Sequence, residues 1–246
     1  SNRVKFNFNS GWKSFLGDAS GAEQPSFNDS SWETISTPHA YNEDDAFRKQ
    51  MDEVYTGIGW YRKHFRIPAH YAGRKVFLEF EGIRQAGEFY LNGTWIGRHE
   101  NGVTAFGFDI TDYVNTGNTE NILAVRIDNS YTYREVATDT RFQWNGANFN
   151  VSYGGINKNV YLHITDNMYQ TLPLYLDLGT TGVYVYATNF NINNRQADIT
   201  VETQVKNDSE ESLNVSLDVV IADPEGNTVL DVAGAASATL TSGSTR

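Results

Sequence analysis

Hydrophobic and polar residues alternate along this chain in short runs, and Gly, Asn and Asp punctuate the runs. Val76, Leu78 and Phe80 fall on one side of a period-two segment, with Phe77, Glu79 and Glu81 on the other. That period places successive side chains on opposite faces of a strand. Glu88 to Leu91 and Thr94 to Ile96 flank Asn92-Gly93, a pair that tolerates positive φ at both turn positions and so signals a hairpin. Val160, Leu162 and Ile164 repeat the alternation. Further on, Val183 to Thr188, Ile199 to Lys206, Leu213 to Ile221 and Thr228 to Val232 read as four strands, and Ala236 to Leu240 as another. Asp223-Pro224-Glu225-Gly226-Asn227 between two of them is a turn, because Pro presets φ and Gly accepts a positive one. Helical periodicity is weak. Strands at this spacing predict an all-β chain built of β-sandwiches.

The palette changes along the sequence. All five Trp and all five His precede residue 165, and no aromatic residue follows Phe190. Residues 169–246 hold three basic and ten acidic side chains, hence −7 of the net −11. With 246 residues the chain is long enough for two domains, since one domain commonly takes ~100 to 200 residues. The expected division is a first sandwich over 1–168 and a second, Val/Ile/Leu-cored sandwich over 169–246. The second is expected to stop short of a full set of strands, which would leave an exposed edge and invite self-pairing into a homo-oligomer.

A net charge of −11 argues against nucleic acid, whose phosphates demand clustered Lys and Arg. No apolar run approaches the ~18 residues that span a bilayer, so a membrane partner is not expected. The absence of Cys removes disulfides, thiolate nucleophiles and Cys-based zinc sites together. His99 has no second His or Cys at ligand spacing, and neither a metal nor any other cofactor is expected. A bacterial periplasmic or secreted setting is favoured over the cytoplasm.

One run of motifs points to a function. Gly59-Trp60-Tyr61-Arg62-Lys63-His64-Phe65 leads to Asn92-Gly93, Gly97, His99, Gly102, Phe106 and Phe108-Asp109-Ile110-Thr111. Asn121 to Asn129 and Tyr153-Gly154-Gly155-Ile156, then Asn159-Val160-Tyr161-Leu162, complete the set. Together they resemble the N-terminal jelly roll of glycoside hydrolase family 2, which includes β-galactosidases, β-glucuronidases and β-mannosidases. The resemblance implies a galactose-binding-like jelly-roll β-sandwich followed by an immunoglobulin-like β-sandwich, with a (β/α)8 catalytic barrel beyond. A barrel takes ~250 residues, so no catalytic residue is expected in this chain. The parent would be a retaining hydrolase of β-glycosides, most like a β-galactosidase, with the chain bracing the barrel and lending loops to its sugar pocket.

Those loops supply the candidate sugar contacts. Glu43, Asp44, Asp45, Asp52 and Glu53 cluster in a polar stretch read as a loop, and Asp44 and Asp45 are the candidates there. Residues 141–150 supply Trp144, an aromatic platform for a pyranose face, with Asn148 and Asn150, amides suited to hydroxyls. Asn148 and Lys158 stand where the family more often has an Asp and an Arg. Trp60 and Trp95 are expected mainly in the core. Gly154-Gly155 is expected to allow close backbone approach or positive φ. Two rival readings are a free-standing carbohydrate-binding module and a structural β-sandwich pair of a surface protein.

Overall fold

Strands with one apolar face must bury it, and the jelly roll does so by stacking two sheets. The computed structural model describes residues 3–141 and 151–246. The chain divides into two compact units, Val4–Ile164 and Thr165–Arg246, the latter including Arg3. The first contains β1 (Val4–Asn7), β2 (Trp12–Leu16), β3 (Glu33–Ile35), helix α1 (Glu43–Arg48), β4 (Ile58–Phe65) and β5 (Lys75–Phe80). It continues with β6 (Ala86–Leu91), β7 (Thr94–His99), β8 (Phe106–Asp109), β9 (Asn121–Asp128) and β10 (Val160–Thr165). They form a four-stranded sheet in the order β1-β10-β5-β8 and a six-stranded sheet in the order β3-β2-β4-β9-β6-β7.

Alternation decides what lies between the sheets. On β4, Tyr61 points inward and joins a core of Trp12, Leu78, Phe80, Phe89, Phe106, Leu123, Val125 and Ile127. Phe80 stacks on Phe106 with centroids 5.2 Å apart, and Phe89 meets Phe80 edge-on at 5.1 Å. Trp60 and Arg62 point the other way, yet both are buried. Residues between β2 and β3 fold across that outer face, so Trp60, Ala124, Ala22 and Trp32 form a second apolar cluster. Trp60 donates its indole N–H to Asp18 (2.8 Å), and Arg62 Nε donates to Asp29 (2.7 Å). Covering both faces is why β4 reads as a nearly continuous buried run.

Two expectations need correction. Trp95 is 53% exposed, because β7 is the edge strand of the six-stranded sheet and its outward residues face solvent. The acidic loop after Asn42 contains helix α1, whose first turn carries Glu43, Asp44 and Asp45 and whose last carries Arg48. Carboxylates at a helix N-terminus and cations at its end both favour that turn of helix.

The second unit is immunoglobulin-like and consists of paired strands. β11 (Met168–Gln170) pairs with β14 (Val205–Asn207), β12 (Val183–Asn191) with β13 (Gln196–Thr203), and β15 (Leu213–Ala222) with β16 (Thr228–Leu240). Sequence breaks β16 into two strands around Gly234; the structure keeps it whole. Gly234 adopts φ +64° and donates its N–H to Asp218 (2.7 Å), beside a register shift between Leu217 and Val219. The extra residue is absorbed as a bulge. Among the described residues no helix is long and apolar enough to cross a membrane.

Candidate functional site

At one end of the jelly roll the segment 38–42 lies against the segment 152–156. Two backbone bonds join them: His39 N–H to the Ile156 carbonyl (2.8 Å) and Tyr41 N–H to the Gly154 carbonyl (2.9 Å). On its other side the same segment exchanges two bonds with Arg84, at 2.8 and 2.9 Å. Only glycine fits between such neighbours. A Cβ on Gly155 would lie 2.5 Å from the His39 carbonyl oxygen and 2.4 Å from the Tyr61 hydroxyl, and its φ is +139°. A Cβ on Gly154 would lie 2.3 Å from the Tyr41 hydroxyl. Both uses expected of this pair, close approach and positive φ, are present.

Side-chain amides lock the junction. Asn42, 2% exposed, donates to the carbonyls of Tyr55 and Ser152 (both 2.8 Å) and accepts from Gly154 N–H (3.0 Å). Asn129 donates to the Ser152 carbonyl (2.6 Å) and accepts from Gly57 N–H (2.8 Å) and the Tyr41 hydroxyl (3.0 Å). Burial raises the Tyr41 phenol well above its ordinary range, so it stays protonated and keeps donating. A satisfied buried network of this kind fixes one loop conformation.

What it positions is an open groove of about 320 Å³ lined by Pro38, His39, Ala40, Glu43, Tyr153 and Asn157. His39 Nδ1 meets the Tyr61 hydroxyl at 2.8 Å, and burial lowers the imidazole's pKa, leaving it neutral at physiological pH. Tyr153 offers a half-open ring at 40% exposure. An aromatic face with a carboxylate, an amide and a neutral imidazole can stack on a ring and exchange hydrogen bonds with hydroxyls. Among the described residues no group of three or more His, Asp or Glu is placed to hold a metal ion.

The family model described as "Glycosyl hydrolases family 2, sugar binding domain" matches residues 7–166. The chain belongs to glycoside hydrolase family 2. Over 238 residues it is 40% identical to a β-glucuronidase of Formosa agariphila, an alignment covering 93% of this chain and 24% of that protein. A β-galactosidase of Bacteroides ovatus is 30% identical over 235 residues, covering 93% and 25%. A solved family 2 β-glucuronidase superposes with a TM-score of 0.88 at 37% identity, covering all of this chain and 26% of that one. The chain thus spans about a quarter of the length of these relatives, their N-terminal sugar-binding portion.

Against this family 2 framework the candidate contacts separate. Asp45 accepts from Lys49 Nζ (3.0 Å) and from Tyr55 N–H (3.2 Å), so its carboxylate is already engaged in holding the loop. Asp44 is open, with Arg48 3.9 Å away. Trp144, Asn148 and Asn150 lie outside the described residues. Sequence reading overlooked His39, Tyr153 and Asn157 as a set. Tyr153 stands directly before Gly154-Gly155, and that adjacency was the available signal.

Proposed function

We propose that this chain is the non-catalytic N-terminal portion of a retaining family 2 glycosidase acting on β-galactosides or β-glucuronides. In this reading the jelly roll braces the catalytic barrel and turns its 38–45 and 153–157 loops toward the sugar pocket. The observation that carries it is the locked junction around Asn42 and Gly155: such a buried network is an expensive way to hold a surface loop unless its exposed side chains have to be placed. Relatives named β-glucuronidase and β-galactosidase support the substrate range. Asp44 and Glu43 are the acidic contacts in this reading, with Tyr153 as an aromatic wall and Trp144, Asn148 and Asn150 from the neighbouring loop.

The test is kinetic. In the longer enzyme containing this chain, Tyr153→Ala and Glu43→Gln should each lower kcat/KM for aryl β-glycosides by about tenfold while leaving the melting temperature in place, as expected for contacts that position substrate. Unchanged kinetics in both variants would remove these loops from the pocket.

A further inference from the structure

Tyr61 is fully buried between the sheets, yet its hydroxyl reaches a residue that lines the groove. It lies 2.8 Å from His39 Nδ1 and 3.3 Å from the His39 carbonyl oxygen. Glycine keeps it in reach, since a Cβ on Gly155 would lie 2.4 Å from the same hydroxyl. Burial raises the Tyr61 phenol well above its ordinary range, so it stays protonated. The two bonds that oppose that rise come from the Ile156 N–H and the Ser14 hydroxyl, and both donate to the phenol oxygen. An oxygen that already takes two donors has no lone pair for a third, and a phenol has one proton to give. That proton goes to His39, where the imidazole nitrogen is the nearer acceptor.

The direction of that one bond decides what the groove presents. A neutral imidazole protonates one nitrogen and accepts at the other, and the bond made by one nitrogen fixes the state of its partner. Burial keeps His39 neutral against the opposing pull of Glu33 and Glu43. With Nδ1 accepting from Tyr61, the hydrogen sits on Nε2. His39 is half-buried and lines the groove, and its Nε2 has no partner among the described residues and is not sealed from solvent. The other tautomer would press three donors onto the phenol oxygen and leave the Tyr61 proton only the carbonyl at 3.3 Å.

We infer that Tyr61 is a positioning residue that fixes His39 as the Nε2–H tautomer, giving the groove an N–H donor beside the Glu43 carboxylate for a pair of neighbouring sugar hydroxyls. A carboxylate only accepts and Nε2–H only donates, so two adjacent hydroxyls satisfy both, one giving a proton and the other a lone pair. With the other tautomer both protein groups would accept, and the ligand would have to supply two protons. This inference rests on the reading of the groove as a sugar site and specifies the hydrogen-bond polarity of that site.

Long-range 1H–15N spectra of the histidine-labelled chain read the tautomer directly, with His39 assigned by its loss in His39→Gln. At neutral pH the unmodified chain should show His39 with a protonated Nε2 and a bare Nδ1. In Tyr61→Phe, checked for folding by a thermal melt, the ring should exchange between both forms. A protonated Nδ1 in the unmodified chain overturns the inference and leaves the groove reading intact; an undisturbed Nε2–H form in Tyr61→Phe overturns it too. The link to sugar is read in the longer enzyme by a double-mutant cycle on aryl β-glycosides. His39→Gln carries an amide N–H toward the Nε2 position and has no tautomer to set. Tyr61→Phe should therefore lower kcat/KM by about fivefold alone but by less than about twofold in the His39→Gln background. Equal losses in both backgrounds overturn the inference, because Tyr61 would then act through the fold and not through His39. Failure of the groove reading is read separately, from the kinetics of Tyr153→Ala and Glu43→Gln.

Discussion

At the scale of single residues, one buried cation and one glycine carry sharp consequences. Lys63 points between the sheets, donates to the Ser10 carbonyl and sits 4.3 Å over the Phe8 ring. Burial pulls its pKa from 10.5 down to about 8. The folded state therefore holds this proton less tightly than the unfolded chain, and between those two values stability rises with pH. Lys63→Met should flatten that rise in urea melts taken from pH 8 to 10.5, and at pH 7 it should stabilise the unit by about 1 kcal/mol, because relief of desolvation exceeds one lost hydrogen bond. Gly155→Ala has no such compensation. Its Cβ would meet backbone at 2.5 Å, so the 38–42 segment must move, and a loss of about 3 kcal/mol or more in denaturant melts is expected.

At the scale of elements, polar networks hold loops that apolar packing does not reach. Asn42→Ala leaves two carbonyls and one N–H without their amide partner. Circular dichroism melts should show a loss of about 2 to 4 kcal/mol. On the outer face of the six-stranded sheet, Asp29 binds both the fully buried Arg62 and His64 Nε2 (2.8 Å), and His64 Nδ1 meets Glu120 at 3.0 Å. Burial alone would raise the Asp29 pKa, but the bonds from His64 and Arg62 outweigh it and lower it. For His64, burial alone would lower the pKa, and the bonds to Glu120 and Asp29 outweigh that and raise it. The sign follows for each group. Asp29 contributes stability above the ordinary carboxylate pKa, lost as pH falls through its depressed value; His64 contributes below ~6.5, lost as pH rises through its elevated value. Asp29→Asn should therefore cost most at mildly acidic pH, about 3 kcal/mol, since it strands the Arg62 charge. A cost independent of pH in melts from pH 3 to 9 would show that His64 does not titrate with this pair.

At the scale of the molecule, the described residues hold β-sheets and short helices but no barrel. The 246-residue chain, free of host enzyme, should not turn over aryl β-galactosides, β-glucuronides or β-mannosides above background. Hydrolysis above that level would place the chemistry in these two units and undo the division of labour proposed for them.

Much of this was decided by sequence alone. Period-two runs such as Val76-Leu78-Phe80, the Asn92-Gly93 turn and the Tyr153-Gly154-Gly155-Ile156 motif specify strands, a hairpin and the family, because alternation and φ preference are local properties of the chain. The acidic start of α1 and the pairs Asp44/Arg48 and Asp45/Lys49 were also present as helix signals in what reads as a loop. Tertiary structure decided the rest. That Trp95 lies on an edge and Trp60 under a covering segment depends on strand order, which no local pattern encodes. The groove joins residues 38–43 to 153–157, and the Arg84 backbone meets Gly155 on the other side of the same segment. Both are facts of long-range proximity, settled when the two sheets close and Gly155 admits the neighbouring loop.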